Sequence, residues 1–281
     1  MIKKDIEETT IYRKAGDVGL LEYKALNVFD GIVNAFSTRE GGVSEGQYAT
    51  MNFSVTMGDD PERVAENFRI FGHAIGVDPQ DMVYADQKHT DHVMVVGSEH
   101  KGMGVTRPRG FEAVDGLVTN ERGVCLVTSY ADCVPLYFYD PVHNAIGLTH
   151  SGWRGTVAKI AAKTIGLMHE TYGTAAGDLI CCIGPCIGKE CYEVSEDVAK
   201  EFSAAYTKEQ YERICEPREE AGKYLLDLPQ ANREQFIECG VPSGNIRMPD
   251  LCTACNSGLL HSHRATGGKR GGNCAFLMIK K

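Results

Sequence analysis

Residues 115–150 read DGLVTNERGVCLVTSYADCVPLYFYDPVHNAIGLTH, and this stretch decides the fold class. Four short apolar runs alternate here with turns that contain glycine, asparagine and aspartate. Apolar runs bounded by such turn residues are typical of buried β-strands. The predicted strands are Asp115–Thr119, Val124–Ser129, Leu136–Tyr139 and Ala145–Thr149.

More strands precede this stretch, and helices lie on both sides of it. The additional strands are Gly31–Ser37, Met82–Ala85 and Val93–Val96. Apolar residues at helical spacing predict the helices Asp60–Ile75, Thr156–Tyr172, Ser195–Tyr206 and Leu228–Cys239. Because strands and helices are interspersed without strict alternation, we expect an α+β fold. In that fold, mixed β-sheets, as one sheet or two packed sheets, are flanked by helices. No boundary signal divides the chain, so we expect a single domain over residues 1–281.

The composition limits the functions open to this chain. With 281 residues, 43% of them hydrophobic, it can bury a full core. The net charge of −9 and the pI of about 5.5 disfavour binding to nucleic acid or anionic membranes, which needs a basic face. Met1–Glu8 lacks the apolar segment of a signal peptide, and no apolar run approaches the roughly 20 residues that span a bilayer. We therefore expect a cytoplasmic protein.

The eleven cysteines are expected to be free thiols, because their number is odd and no export signal precedes them. Several lie in apolar runs, where a reduced thiol packs like a small hydrophobic residue. A weaker pattern stays open, in which Cys182, Cys186 and Cys191 with Cys252 and Cys255 form a structural zinc site. The turn at residues 184–188 favours packing there over metal binding.

Three residues far apart in the sequence could form a metal site: His89, Cys133 and His150. Each lies where a predicted strand ends in a turn, beside glycine, proline or charged residues. Zinc prefers imidazole and thiolate, and a catalytic zinc usually takes three protein ligands and leaves a fourth position open. His92 could replace His89, and Asp132 could orient a metal-bound histidine through its second ring nitrogen. Each of these residues, taken alone, could instead have a structural role.

A glycine turn follows His150 and leads from a strand into a helix, as Ser151-Gly152-Trp153-Arg154-Gly155. Unpaired N–H groups at a helix N-terminus favour anions, and Arg154 adds a guanidinium suited to phosphate or carboxylate. The basic tail, residues 261–264 followed by the glycine-rich segment 267–272, is either a solvated loop or a positively charged wall over an anionic substrate. Arg39 is likewise either a turn residue or a substrate contact.

The chain resembles the laccase-domain family, whose members have been described as multicopper polyphenol oxidases, purine nucleoside phosphorylases and peptidoglycan-editing factors. The resemblance runs nearly end to end. It rests on FSTREGGVS (36–44), MNFS (51–54), GDD (58–60), QKH (87–89), DGLVT (115–119), ADC (131–133), HSGWRG (150–155), IGPCIG (183–188), CYEV (191–194), LDL (226–228) and CT (252–253).

The resemblance implies a four-layer α+β domain with helices outside two sheets. It also implies that His89, Cys133 and His150 hold zinc, with copper as the alternative metal, and that they act in catalysis together with Arg39. The implied activity is phosphorolysis of adenosine, inosine and S-methyl-5′-thioadenosine, with deamination of adenosine in the same pocket. The implied partners are a purine nucleoside and phosphate. The residues expected to contact them are Arg39, Asn52, Asp115, Arg154 and Arg264.

One departure from the family pattern lies near the C-terminus. The family commonly has Phe-Phe-Ser-Tyr-Arg where this chain has Leu260-His261-Ser262-His263-Arg264. Two aromatic side chains are thus replaced by imidazoles, which bears on base stacking and substrate preference. The roles of His92, His261 and His263 and the oligomeric state are not predicted.

A zinc-bound water can attack C6 of a purine, which fits deamination. Phosphorolysis instead needs a positioned phosphate, which Arg39, Arg154 and the turn at residues 152–155 could supply. Asp115 is expected to contact the purine or ribose or to transfer a proton. In a second class, Cys133 is the nucleophile of a hydrolase, with His150 or His89 as base, acting on a peptidoglycan precursor. A copper polyphenol oxidase is a third class. It is disfavoured because multicopper centres use several His-x-His pairs and the chain has one, at residues 261–263. A purely structural zinc is a fourth.

Overall fold

The computed structural model describes residues 9–54 and 56–281, so Met1–Glu8, where we expected no signal peptide, lies outside the described residues. The described strands are β1 (Thr10–Ala15), β2 (Val18–Tyr23), β3 (Ile32–Ser37), β4 (Met82–Tyr84), β5 (Val93–Val95), β6 (Gly116–Thr119), β7 (Cys125–Tyr130), β8 (Val134–Asp140), β9 (Ala145–Ser151), β10 (Ile180–Ile183), β11 (Glu193–Ser195), β12 (Cys215–Pro217), β13 (Lys223–Leu226), β14 (Ile246–Arg247) and β15 (Asn273–Ile279). The described α-helices are α1 (Lys24–Asn27), α2 (Pro61–Ile75), α3 (Trp153–Val157), α4 (Ile160–Tyr172), α5 (Glu196–Ala205), α6 (Lys208–Ile214), α7 (Leu228–Glu238) and α8 (His263–Thr266).

Two six-stranded sheets contain most of the strands. Sheet 1 has the order β1-β2-β3-β15-β7-β4, and sheet 2 has the order β14-β10-β8-β9-β6-β5. The β4–β7, β5–β6 and β10–β14 pairs are parallel, whereas central pairs such as β3–β15 and β8–β9 are antiparallel. A three-stranded sheet, β11-β13-β12, completes the strand pairing. The predicted α+β fold with mixed sheets is confirmed, and the larger sheets are two.

Alternating side chains on the strands define the layers. On β15, Phe276 stacks on Phe71 of α2, whereas Leu277 lies in the core between the sheets. On β8, Tyr137 lies in that same core, whereas Phe138 packs among helices α4 to α7 on the outer face of sheet 2. Since successive strand residues point to opposite faces, one core lies between the sheets and one lies outside each sheet. Helix, sheet, sheet and helix therefore form the expected four layers.

Three of the four predicted helices are observed, as α2, α5 and α7, and the fourth differs after β9. The short helices α1, α6 and α8 were not predicted. The predicted helix Thr156–Tyr172 is instead two helices, α3 and α4, with Lys159 between them in the left-handed region at φ 61°. Tertiary contacts hold Lys159 there, because its Nζ lies 3.4 Å from the ring centroid of Tyr206 and 3.3 Å from Glu238. Within residues 9–54 and 56–281, no helix is both long enough and apolar enough to cross a membrane.

The strands differ from the prediction at two places that matter for the site. Strand β9 continues through Ser151, so His150 lies within a strand rather than after one. Strand β15 was not predicted, because a glycine-rich basic segment precedes it, yet it lies in the middle of sheet 1. Its pairing with β3 and β7 brings the C-terminal segment back to the centre of the molecule.

Candidate metal centre

Two of the three predicted ligands lie on segments that cross from one sheet to the other. His89 lies between β4, an edge strand of sheet 1, and β5, an edge strand of sheet 2. Cys133 lies between β7 of sheet 1 and β8 of sheet 2. The third ligand, His150, is on β9 in the interior of sheet 2. The site therefore forms at the end of the molecule where the chain passes between its two sheets.

Strand register sets the positions of Cys133 and Asp115 relative to His150. Strand β9 lies between β8 and β6. Pro135 of β8 pairs with His150, so Cys133 comes opposite Gly152 just beyond the ladder. Gly116 of β6 pairs with Thr149, and the N–H of His150 donates to the carbonyl of Asp115 at 2.7 Å. The backbone thus brings these side chains to one end of three adjacent strands.

The predicted ligand atoms lie together, within 4.8 Å of one another. Nε2 of His89 is 3.8 Å from Sγ of Cys133, and the rings of His89 and His150 have centroids 4.9 Å apart, nearly perpendicular at 82°. Zinc–sulfur distances of about 2.3 Å and zinc–nitrogen distances of about 2.0 Å place tetrahedral ligands roughly 3.3–3.8 Å apart. The donor set and its spacing therefore fit a zinc ion.

Asp115 holds this cluster in place through hydrogen bonds to His150 and to the loop that carries His89. Its carboxylate is fully buried and accepts a hydrogen bond from Nδ1 of His150 at 2.7 Å, which leaves Nε2 free for a metal. The same carboxylate accepts the backbone N–H groups of Lys88, His89 and Thr90 at 2.9–3.0 Å and the Thr90 hydroxyl at 2.8 Å. Three successive N–H groups around an anion form a nest. One carboxylate thus orients His150 and fixes the loop that carries His89, which adopts φ 60°.

The orienting role that we expected for Asp132 therefore belongs to Asp115. The Asp132 carboxylate accepts hydrogen bonds from the Thr253 hydroxyl at 2.6 Å and from the backbone N–H of Arg264 at 2.7 Å. Asp132 instead ties the Cys133 turn to the C-terminal segments. The prediction was wrong because sequence adjacency to Cys133 gave no information on which carboxylate the strand register brings to His150.

Charges within the cluster shift three pKa values. Burial alone would raise the pKa of Asp115, but His150 and the surrounding N–H groups lower it to about 2. Burial would likewise raise the pKa of the Cys133 thiol, but the two imidazoles, chiefly His150, lower it to about 6. Burial would lower the pKa of His150, but the Cys133 thiolate and Asp115 raise it to about 9. The cluster thus stabilises a thiolate, the form of cysteine that binds metals.

Gly152 leaves room for all three ligand side chains. A Cβ atom at this position would lie 2.8 Å from Cδ2 of His89, 3.3 Å from Sγ of Cys133 and 3.6 Å from Cε1 of His150. The shortest of these distances is well inside van der Waals contact. Glycine is therefore needed here for space, since its φ of −74° is one that any residue can adopt.

A cavity of about 480 Å³ has the cluster in its wall. Its volume lies within the roughly 300–1,000 Å³ of small-molecule sites. The rest of the lining combines aromatic, hydroxyl and cationic side chains. The lining residues are Ser54, Thr56, Met57, Gln87, His89, Ser129, Tyr130, Ala131, Asp132, Cys133, His150, Trp153, Ile187, Tyr192, His263, Arg264, Arg270 and Gly272.

Of the five residues predicted to contact substrate, Arg264 lines this cavity. Arg39 donates to the carbonyls of Ala49 and Ser257 at 2.9 and 2.8 Å. Asn52 is fully buried and bonds Ser54, Asp59 and Gly272. Arg154 is exposed and lies 4.3 Å from the ring centroid of its neighbour Trp153. Within the described part of the chain, Arg39, Asn52, Asp115 and Arg154 lie outside the cavity lining, so their contact with substrate stays a prediction.

The histidines without a predicted role occupy three different environments. His92 is exposed and its Nδ1 lies 3.2 Å from the carbonyl of Ala113, outside the ligand cluster. His261 is buried, with Nε2 bonded to the carbonyl of Met51 and Nδ1 accepting the N–H of Gly271. His263 lines the cavity. Of the two imidazoles that replace aromatic residues, His263 therefore lines the cavity, whereas His261 is buried and hydrogen-bonds to the backbone of Met51 and Gly271.

Of the cavity residues that were not singled out from the sequence, three make contacts that shape the site. Gln87 exchanges two hydrogen bonds with the backbone of Ser129, which fixes the His89 loop to the end of β7. Tyr192 contributes an aromatic ring beneath the Arg264 guanidinium, 5.3 Å from its centroid. Arg270 lines the cavity with its Nε unpaired among the described residues. The basic segment at 267–272 was the signal for Arg270, and its reading as a cationic wall fits this position.

Known proteins resemble this chain in both sequence and fold. A family model described as multi-copper polyphenol oxidoreductase laccase matches residues 33–280. A purine nucleoside phosphorylase of Bacteroides thetaiotaomicron is 36% identical over 94% of this chain and 98% of its own length. The adenosine deaminase RL5 of an unknown prokaryotic organism is 31% identical over 84% of this chain and 89% of its own length. Among solved structures, the hypothetical protein YfiH of Bacillus licheniformis has a TM-score of 0.89 and 32% identity, covering 96% of this chain and 99% of that chain.

Proposed function

The chain belongs to the family described as multi-copper polyphenol oxidoreductase laccase, and from this premise we propose that it is a zinc-dependent enzyme acting on purine nucleosides. Adenosine, inosine and S-methyl-5′-thioadenosine are its proposed substrates in phosphorolysis, and adenosine is its substrate in deamination. Relatives named purine nucleoside phosphorylase and adenosine deaminase support the substrate class. The observation that carries the proposal is the cluster of His89, Cys133 and His150 in the wall of a ligand-sized cavity.

The two reactions break different bonds of the same substrate. In phosphorolysis, a phosphate oxygen bonds to C1′ of the ribose and the bond from C1′ to N9 breaks, giving ribose 1-phosphate and the free base. In deamination, water adds at C6 and ammonia leaves, which converts adenosine to inosine. A zinc ion in this site would supply Lewis-acid catalysis and lower the pKa of a coordinated water. The same cavity must therefore give reactive groups access to both C1′ and C6 of the nucleoside.

The protein residues orient the ligands and the substrate. Asp115 holds the tautomer of His150 that presents Nε2, an outer partner of the kind that metal-binding histidines use. The aromatic rings of Trp153 and Tyr192 and the imidazole of His263 line the cavity and offer faces on which a purine can stack. Stacking would fix the plane of the base, and polar side chains could then form hydrogen bonds with the edge of the base and with the ribose.

Arg270 is the proposed phosphate ligand in this cavity. Its guanidinium lines the wall near Asp132 and Cys133, and its Nε has no partner among the described residues. Burial lowers the pKa of Arg270 from its ordinary value, but a guanidinium stays charged at neutral pH. Arg264 is less free, because it donates to the carbonyls of Cys191 and Glu193 at 3.2 and 2.9 Å. Phosphate binding would give the buried Nε–H donor of Arg270 the acceptor that it lacks among the described residues.

Metal analysis combined with product identification tests the function. Purified protein is assayed for zinc and then incubated with adenosine in the presence and absence of phosphate, with the products separated by chromatography. Adenine, hypoxanthine and ribose 1-phosphate are expected only with phosphate, whereas inosine is expected with or without it. Cys133→Ala should lose the zinc ion of this cluster and both activities while keeping its circular dichroism spectrum. Full turnover in that variant would falsify the assignment.

Arginine variants in the same assay separate the two reactions. Arg270→Ala should lower phosphorolysis at least about tenfold, mainly through a higher KM for phosphate, while deamination falls less. Arg154→Ala, the variant suggested by the sequence, is the matched comparison because Arg154 is exposed outside the cavity lining. If Arg154→Ala raises the KM for phosphate and Arg270→Ala does not, phosphate binds on the glycine-turn side instead.

A second candidate function is favoured by the thiolate character of Cys133. A pKa of about 6 beside His150 resembles the activated cysteine of a hydrolase, which could cleave a peptidoglycan precursor. Chelation and alkylation distinguish the two. A hydrolase would survive removal of zinc and be trapped by iodoacetamide on Cys133, whereas a zinc ligand would be protected from alkylation until the metal is removed.

The copper oxidase alternative needs ligands beyond the three in this cluster. Two histidines and a cysteine can bind a single copper ion, but a multicopper oxidase also needs a trinuclear histidine centre. Among the described residues, the groups that could hold a metal include one with histidine, and His261 lies buried with both ring nitrogens bonded to protein. Copper at the zinc site therefore remains a single-ion alternative to zinc.

A further inference from the structure

Cys191, Cys252 and Cys255 form a second cluster of potential metal ligands. Their sulfur atoms lie within 4.8 Å of one another, with Cys191 and Cys255 at 3.4 Å. They lie around a separate cavity of about 470 Å³ that shares no lining residue with the cavity of the first cluster. All eleven cysteines are free thiols, so no disulfide accounts for this convergence.

The backbone builds this cluster from two distant segments. Cys191 ends the short 3₁₀ turn Lys189–Cys191. Cys252 is joined to Cys186 by a β-bridge, with the N–H of Thr253 donating to the carbonyl of Cys186 at 2.9 Å. Asn256 then donates twice to the carbonyl of Cys252, which closes the turn that returns Cys255 to the cluster. Two cysteines separated by two residues on such a turn are a common half of structural zinc sites.

One sulfur already accepts a hydrogen bond from the backbone. The N–H of Gly188 donates to Sγ of Cys252 at 3.1 Å. Gly188 permits this approach, since a Cβ there would lie 3.3 Å from Cβ of Cys252. Backbone donors to the ligand atom are typical outer partners of metal sites because they stabilise the ionised ligand.

We propose that Cys191, Cys252 and Cys255 bind a second metal ion of thiophilic character, with zinc as its first probe. Three sulfurs around tetrahedral zinc lie roughly 3.8 Å apart, close to the spacing here. Thiolates favour zinc and copper(I) over magnesium and calcium. Cys255 is exposed, so the remaining position is open to solvent. The five-cysteine set considered from the sequence thus reduces to three, since Cys182 and Cys186 are buried within the cores.

A metal here would fasten the wall of the first cavity. Cys191 precedes Tyr192, and its carbonyl accepts from Arg264 at 3.2 Å. Cys252 precedes Thr253, whose hydroxyl holds Asp132. Through its bonds to the three sulfurs, the ion would connect the segment that contains Cys191 to the segment that contains Cys252 and Cys255. It binds the folded protein selectively, so it raises the melting temperature.

The test measures metal binding without any enzyme activity. Fully reduced wild-type protein, with excess metal removed, should contain two zinc ions per chain, and His150→Ala should contain one. In the His150→Ala background, adding Cys191→Ser and Cys255→Ser should remove that ion and the intense thiolate-to-metal absorption seen when cobalt replaces zinc. Adding zinc should raise the melting temperature of His150→Ala but not of the triple variant.

Cys239→Ser is the matched control, because Cys239 is a partly buried thiol outside both clusters. It should keep both zinc ions. Absence of zinc from the reduced His150→Ala protein, or retention of the ion in the triple variant, would overturn the proposal. A disulfide between Cys191 and Cys255 that persists under mild reductant, with no second zinc bound, would also overturn it. None of these outcomes depends on whether nucleosides are the substrates.

Discussion

Asp115 is the residue that holds two of the three ligand positions, His89 and His150, in one site. Its carboxylate accepts five hydrogen bonds, one from His150 and the others from the loop that carries His89. A buried carboxylate without such donors would be costly. Its paired state therefore fixes both histidines before any metal binds. Binding energy is then not spent on ordering the ligands, which favours tight metal binding.

Gly152 should prove as important for zinc as a ligand. In Gly152→Ala the new Cβ meets Cδ2 of His89 at 2.8 Å, so the His89 ring must move away from Cys133. We expect zinc affinity to fall at least about tenfold, the effect of disturbing a ligand's support. Competition with a chromogenic chelator measures the affinity.

Gly166→Ala is the control for this substitution. Gly166 lies within α4, and a Cβ there has no atom within 4 Å. Alanine in a helix interior is more favourable than glycine by up to about 1 kcal/mol, so the control should keep its zinc and gain stability. Equal zinc affinity in the Gly152→Ala variant and the control would show that the close contact is relieved without moving the ligand.

His261 should make the protein less stable in acid. Burial and the nearby Arg39 lower its pKa from the usual 6.5 to about 3. Below about pH 6.5, His261 is protonated in the unfolded chain but stays neutral in the folded protein. The free energy of unfolding therefore decreases as the pH falls from about 6.5 to about 3, by up to about 1.4 kcal/mol per pH unit.

His261→Gln tests this dependence. A glutamine amide can both donate to Met51 and accept from Gly271, but it does not titrate. Urea unfolding at several pH values should show a shallower acid decline for His261→Gln than for wild type between pH 6.5 and 3. Parallel curves would mean that His261 does not account for the acid sensitivity.

Helix α2 shows how an element is fixed by its own sequence. Pro61 occupies its first turn, Gly76 ends it in the left-handed conformation at φ 72°, and Asp60 caps it by accepting the N–H of Glu62 at 2.9 Å. Apolar residues on one face pack on sheet 1. All these signals are local, so the predicted helix agrees with the observed one at both ends.

Removing the cap should cost stability without affecting the site. Asp60→Ala leaves the first-turn N–H groups without their side-chain acceptor, which costs about 1 kcal/mol of unfolding free energy. Asp60→Asn keeps an acceptor and should retain most of that free energy. Zinc content should be unchanged in both, because α2 covers the outer face of sheet 1. The expectation fails if the two variants are equally destabilised in urea titrations.

At the scale of the whole molecule, the two sheets are joined through a core that contains paired tyrosines. Tyr23 of sheet 1 and Tyr137 of sheet 2 are both fully buried, with ring centroids 4.9 Å apart. The Tyr137 hydroxyl donates to the carbonyl of Ala35 in sheet 1 at 2.9 Å. The Tyr23 hydroxyl has no partner among the described residues. Similar rings in one core thus differ in a single hydrogen bond.

Replacing each tyrosine by phenylalanine should therefore have opposite consequences. Tyr137→Phe loses a buried hydrogen bond and should destabilise the protein by about 1 kcal/mol. Tyr23→Phe removes a buried hydroxyl that lacks a partner and should be neutral or stabilising. Unfolding in guanidinium chloride measures both. A larger loss for Tyr23→Phe than for Tyr137→Phe would contradict the assigned hydrogen bonding.

The sequence by itself determined the class of fold and the identity of the candidate zinc ligands. Apolar periodicity and turn residues are local properties, and they predicted α2 and the central strands of both sheets. Imidazole and thiolate at strand ends indicated His89, Cys133 and His150 because ligand chemistry belongs to the side chain alone. Strand β15 was not predicted, although it is central in sheet 1, because the glycine-rich segment before it has the composition of a loop.

Only the tertiary structure decided which partners each of these residues has. Strand register, and not adjacency in sequence, brings Asp115 rather than Asp132 to His150. The pairing of β15 with β7 brings Arg270 to the cavity. The β-bridge between Cys186 and Cys252 brings Cys252 and Cys255 close to Cys191, and the two other cysteines considered from the sequence do not join this cluster. These are long-range pairings, whose free energy comes from many residues at once, so no short stretch of sequence contains them.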